Sequence, residues 1–322
     1  MIPNRYHFVW FGRAFPFTNA LAIRSVAQTC APEAIVLHVS EDLTGVPEFD
    51  RAIAAVPAFQ QRLIDIDRLV DGCDGLDGAA LKKAYRDLFA RGRWAHLADI
   101  LRHLVLLREG GVYLDCDILA VRDLRPLLAH RGFCGRERIL VPACVHRGRR
   151  WTSYLRTIPL DGIRLLCSRT TVGIDWWKRI EHLYPASINC AVLGLEAGHD
   201  LARDALRAIP ARLPTLEKRR PAIGPDLLQD LIDGAKRSDV TVFDAPAFYP
   251  LGPTMAYHYF RKVKRPAELA RRVVGESTYV VHWYNDNLRK LARPNNAAEL
   301  EALSSHQLFA HLARPFLKVR GV

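Results

Sequence analysis

Short apolar runs that suit buried strands alternate along this chain with longer stretches of helical spacing. Between Trp94 and Glu109, residues Leu97, Leu101, Leu104 and Val105 recur at three- and four-residue intervals, with Leu107 widening the stripe. That spacing predicts an amphipathic helix. Gly110-Gly111 should stop it, because glycine adopts the left-handed cap without a Cβ clash. Val112 to Leu114 then reads as a short buried strand that runs straight into Asp115-Cys116-Asp117.

The remaining pattern is that of an α/β chain. Arg5 to Phe11 (RYHFVWF) is nearly all apolar, as in a parallel strand buried on both faces. Thr18 to Gln28 predicts a helix with Thr18 as N-cap, and Ala34 to Ser40 a second strand. Residues 41–77 predict loops, a short helix near Phe49 to Val56 and a strand at Leu63 to Ile66; Ala79 to Arg91 predicts a helix. Later strands are predicted at Ile118 to Val121, Ile139 to Val145, Ser187 to Val192 and Tyr279 to Trp283. A short helix is expected around Pro126, a further helix opens at Gly224-Pro225, and Glu299 to Leu312 closes the pattern. Residues 146–186 show no clean period. The chain is long enough for one large domain over 1–322, divisible into 1–145 and 146–322.

Composition narrows the class. With 49% hydrophobic residues among 322, the chain reads as globular. It shows no signal-peptide pattern and no apolar run long enough to span a bilayer. Seven cysteines without a C-x-x-C pair indicate neither a zinc knuckle nor a complete disulfide framework. The expectation is therefore a cytoplasmic protein. The net charge of +12 is concentrated, with eleven Lys/Arg against three Asp/Glu between 131 and 180. Solvated surface is the plain reading of that charge; peripheral contact with the anionic inner membrane face comes second. No nucleic-acid motif accompanies it, so no nucleic-acid partner is expected.

Asp115 and Asp117 are the candidate chemistry. Two residues apart on an extended chain, their carboxylates share a face while Cys116 points away. Such a pair repels itself unless a cation lies between, and Mn²⁺ or Mg²⁺ suits a few carboxylates plus substrate phosphates. A lone D-x-D is common and weak. Asp99 and Arg102, three apart on one face of the preceding helix, strengthen it.

The assembled pattern A-D-x-L-R-x-x-x-L-x-x-x-G-G-x-Y-x-D-x-D resembles the sugar-binding D-x-D region of retaining glycosyltransferases of family 32 and of the glucosyltransferase domains of large clostridial toxins. The opening H-F-V-W-F-G is similar to the toxins' first strand, whose tryptophan stacks on the uracil of a UDP-sugar. The resemblance implies donor contacts from Val9, Trp10, Tyr113, Asp115 and Trp283, though core packing would equally account for Trp10. It implies metal ligation by Asp115 and Asp117 with His282, and sugar contacts from Asp99, Arg102 and Asp115. Asn189 would approach the donor sugar or its phosphate; a local backbone role has equal claim. Relatives often follow the late His-Trp with Ser-Trp, where this chain has Asn285-Asp286-Asn287.

The expected fold is thus GT-A-like, α/β with a mostly parallel sheet and helical insertions. The expected activity is metal-dependent, retaining transfer from a nucleotide-sugar donor, UDP-linked, to a hydroxyl acceptor such as a glycan or glycolipid. The competing readings are a metal-dependent phosphodiesterase or nucleotidyltransferase, and a non-catalytic glycan- or lipid-binding module.

Overall fold

Arg5–Trp10 forms strand β1, and it is paired on both sides, as an apolar run without polar alternation requires. On one side lies Ala34–Val39 (β2), reached through helix α1 (Phe17–Cys30) and parallel to β1. On the other lies Gly111–Leu114 (β4), also parallel. The computed structural model describes residues 1–54, 56–71, 73–139, 151–215, 222–285 and 293–317. Among these, the main sheet has the order β3-β2-β1-β4-β7-β6-β8, with β3 at Phe59–Leu63, β6 at Gly132–Arg138, β7 at Ala186–Leu195 and β8 at Thr241–Phe243. Only β7 runs against the other strands. This is the expected mostly parallel α/β sheet. A separate two-stranded ribbon pairs β5 (Ile118–Ala120) antiparallel with β9 (Val280–His282), setting Ile118 opposite His282.

Alternation along the strands divides the core into two layers. Tyr6, Phe8, Val112 and Leu114 pack with α1 and the C-terminal helices on one face. Val9 and Tyr113 face the other layer, where they meet helices α4 (Gly78–Ala90) and α5 (Trp94–Glu109) and the later helices Asp200–Arg212 and Pro225–Gly234. The short helix α2 (Pro47–Ile53) packs on α1, and α3 (Ile66–Asp71) packs on α4 in the other layer.

Several boundaries differ from the expected ones. Helix α1 has Pro16 at its N-cap, and Thr18 lies buried inside the first turn. The strand after α2 is Phe59–Leu63 rather than Leu63 to Ile66; as an edge strand it is only partly buried, so its Gln60-Gln61-Arg62 interior hides it. Charge likewise hides β6, which holds Arg136, Glu137 and Arg138; it precedes the predicted Ile139 to Val145, of which 140–145 lie outside the described residues. The aperiodic 146–186 stretch contains helices Trp151–Ser168 and Gly173–Ile180. The closing helix is two, Ala297–Leu303 and Leu308–Ala313.

The double glycine does more than end α5. Gly110 has φ 63° and ψ −164°, and Gly111 has φ 102°, so neither is the simple left-handed cap. A Cβ on Gly111 would stand 2.5 Å from the Arg5 carbonyl oxygen, and one on Gly110 would stand 2.6 Å from the Ala197 nitrogen. The pair threads α5 into the sheet where only bare backbone fits. Gly111→Ala should therefore destabilise the fold by ~2–4 kcal/mol in urea unfolding, through a forbidden φ and a backbone clash together. A change below ~0.5 kcal/mol would show that the β1–β4 junction has room to relax.

Candidate active site

The carboxyl ends of β1 and β4 meet at the D-x-D segment. Cys116 is buried with its S–H directed to the Val9 carbonyl at 3.5 Å, and Asn19 on α1 donates its amide to the Cys116 carbonyl at 3.0 Å. Asp115 N–H donates to the Ala191 carbonyl on β7 at 2.9 Å. The segment is thus held by three elements, and Cys116 and Asp117 form a turn past the end of β4 rather than the extended chain that alternation assumes, with Cys116 buried.

Asp115 and Asp117 have separate partners. Arg102 is 2% exposed; it donates to Asp99 at 2.8 Å and to Asp115 at 3.2 Å. Its guanidinium lies 4.3 Å from the centroid of the Tyr113 ring, and the Tyr113 hydroxyl donates to the same Asp115 oxygen at 2.8 Å. Burial pushes the carboxyls of Asp99 and Asp115 above their usual range, with Arg102 opposing that rise and Asp117 adding to it at Asp115. Asp117 lies 3.1 Å from His282 Nε2 through one oxygen and accepts the Asn285 N–H at 2.7 Å through the other. Burial alone would raise Asp117, but His282 and that N–H outweigh it and leave the carboxyl below its ordinary value. Reciprocally, burial works to lower His282, and Asp117 more than reverses it. The β5–β9 pairing delivers His282 here, with Trp283 N–H donating to the Asp117 carbonyl at 3.0 Å.

Asp115, Asp117 and His282 each offer a ligand atom, and these atoms lie within 4.8 Å of one another. Two carboxylates and an imidazole fit a hard divalent cation. His282 Nδ1 has no hydrogen-bond partner within the protein. Among the described residues this is one such group, without the second acidic cluster that a two-metal phosphodiesterase would need.

The other expected residues divide. Trp10, at the end of β1, is partly buried, edge-on to Phe15 at 4.9 Å between ring centroids, with its indole N–H on the Ala14 carbonyl at 3.1 Å. The Val9 side chain packs in the core, and only its carbonyl borders the D-x-D. Trp283 does not join the cluster: its indole is fully buried between Phe260 and Phe309. Asn285 contributes a backbone N–H that any residue could supply, while Asp286 and Asn287 lie outside the described residues. Asn189 is buried, accepts the Ala191 N–H at 2.7 Å and hydrogen-bonds Glu137. Gly224, at the start of helix Pro225–Gly234, approaches the Asp99 carboxylate so closely that a Cβ would sit 2.8 Å from it.

Glu137 and Tyr284 escaped the sequence reading. Glu137 is buried in β6, and the Tyr284 hydroxyl donates to it at 2.7 Å. Tyr284 has φ 53°, and its ring lies 4.0 Å from that of His282, between centroids. A non-glycine residue in the left-handed region costs roughly 1 kcal/mol or more, so packing must hold it there. The signal in the sequence was a glutamate inside a strand, which a correct placement of β6 would have flagged as a buried charge.

Residues 16–134 match the family described as "Glycosyltransferase sugar-binding region containing DXD motif". Over 146 residues the chain is 28% identical to Glucan organizing enzyme 1 of Cryptococcus neoformans var. grubii, covering 42% of this chain and 34% of that protein. The chain thus spans about a third of the curated relative it matches. Among solved structures it is similar to the PaToxG glycosyltransferase, at 15% identity over 73% of this chain and 69% of that one, with a TM-score of 0.45. It is similar also to mouse xyloside xylosyltransferase 1, at 12% identity over 89% and 99% of the two chains, with a TM-score of 0.47. For the galactosyltransferase LgtC, with donor and acceptor sugar analogues, the figures are 13% identity, 98% and 97% coverage and a TM-score of 0.45.

The buried position of Arg102 sets its energetic role. An exposed helical pair with Asp99 would contribute only ~0.2–0.5 kcal/mol. Removing a buried cation that two carboxylates share costs ~3–5 kcal/mol. Urea unfolding of Arg102→Ala should show the larger loss, with Arg102→Lys recovering only part of it because the planar fork is gone. A loss within the smaller range would mean that the Asp99–Arg102–Asp115 cluster is solvated.

Proposed function

We propose that this chain, a glycosyltransferase of the family built on the DXD sugar-binding region, transfers a sugar from a UDP-linked donor to a hydroxyl acceptor, a glycan or glycolipid, in a metal-dependent and retaining reaction. The observation that carries the reading is the convergence of Asp115, Asp117 and His282 at the carboxyl ends of β4 and β9, beside the end of β1 where Trp10 lies. Ligands of open α/β sheets gather at that edge.

Asp115, Asp117 and His282 would hold Mn²⁺ or Mg²⁺. That cation, when bound, would supply charge to stabilise the diphosphate leaving group. Trp10 would present its ring to the uracil, its indole N–H being held by Ala14. Asp99 and Arg102 would fix the donor sugar from the floor of the cleft, since their mutual bond and burial leave them rigid. Asn189, oriented by Glu137, would approach the sugar from the β7 side. Asp115, Asp117 and Glu137 are each engaged by a neighbouring donor or cation, which favours a front-face displacement without a covalent enzyme intermediate. In that route the acceptor oxygen bonds the anomeric carbon as the bond to the diphosphate breaks, and its proton leaves on a diphosphate oxygen.

A panel of UDP- and GDP-sugars with simple glycoside acceptors and Mn²⁺ tests this directly. The expected result is glycoside product and free UDP, lost in EDTA, restored by Mn²⁺, and reduced ~100-fold or more in Asp117→Asn. Release of nucleoside monophosphate would assign a phosphodiesterase instead. Full turnover in EDTA would remove the metal.

A further inference from the structure

The helices Trp151–Ser168 and Gly173–Ile180 pack inward through Cys167, Ile174 and Trp177, all buried. Their outer side is unlike an ordinary solvated face. Leu166, Val172 and Trp176 are 65%, 60% and 58% exposed, and Val172 and Trp176 share one helical face four residues apart. Cations stand among them. The Arg179 guanidinium lies 5.6 Å from the centroid of the Trp176 ring. Arg261 donates to the Arg169 carbonyl, which brings a second chain segment's cation to the turn between the helices. Arg169 and Arg179 have no carboxylate partner among the described residues, whereas Asp175 is already neutralised by Arg272.

We propose that this helical pair is a docking surface for an anionic lipid bilayer. Large apolar side chains and an indole would enter the headgroup boundary, and the unpaired guanidiniums would meet lipid phosphates. Charge complementarity selects this occupant: the surface interleaves apolar groups with cations, and the chain carries a net +12. Among the described residues no helix is long and apolar enough to cross a membrane, so the contact is peripheral. The proposal stands apart from the transferase reading, since none of these residues belongs to the D-x-D cluster.

Flotation of the full chain with vesicles tests it, comparing phosphatidylcholine alone with an equal mixture of phosphatidylcholine and phosphatidylglycerol. The expected result is binding to the mixed vesicles only, weakening as salt rises. Leu166→Ser with Trp176→Ser should lower partitioning ~10-fold or more. Arg169→Glu with Arg179→Glu should lower it ~20-fold or more, from roughly fivefold per surface cation. All four positions are solvent-facing, so thermal melts should be unchanged, and the charge variant reports independently if the serine variant is unstable. Absence of binding, equal binding to both vesicles, or wild-type partitioning in both variants would overturn the proposal. So would self-association that both variants abolish in the absence of vesicle binding, which would assign the face to a second copy.

Discussion

The Arg102 guanidinium is out of water, and its charge is tolerable only because Asp99 and Asp115 flank it and the Tyr113 ring lies against it. Taking ions out of water costs several kcal/mol each, so this cluster is a weak source of stability and a strong source of geometry. Its consequence is positional. Asp115 cannot turn without stranding Arg102, and Arg102 cannot move without α5, whose apolar stripe is locked under the sheet. The D-x-D therefore inherits the rigidity of the core.

Asp117 is held by a different part of the molecule. His282 and the Asn285 N–H come from the far end of the chain, brought in by the short β5–β9 ribbon. The two aspartates are thus oriented independently, one from α5 and one from the C-terminal segment, with Cys116 anchored between them. Behind His282, the Tyr284–Glu137–Asn189 contacts connect this ribbon to β6 and β7. A centre assembled from separate elements at the carboxyl ends of the strands can be preorganised before any ligand arrives.

Much of this was legible in the sequence because the elements that matter are strongly patterned. Apolar β1, the α5 stripe, the double glycine and the D-x-D lie close to where periodicity predicts, and His282 ends its strand as expected. The misses share a cause. Strands β3 and β6 carry polar or charged residues, one because it is an edge, the other because Glu137 finds buried partners from distant segments. Hydropathy cannot register a carboxyl that finds its hydrogen bonds at long range. The same limit applied to Arg102: a spacing of three from Asp99 reads as a helix-surface pair, and only the sheet packed over it makes the pair buried. Trp283, just past the end of β9, is turned into the core between Phe260 and Phe309, a packing that its neighbour His282 does not reveal.

In the reading proposed above, Asp115, Asp117 and His282 form one cation site fixed in advance by the fold. Calorimetric titration of Mn²⁺ into the UDP-saturated protein tests it most directly. The expected result is saturable binding of a single equivalent in the wild type, lost in both Asp117→Asn and His282→Gln while each variant keeps its native melt. Wild-type Mn²⁺ affinity in either folded variant would contradict it.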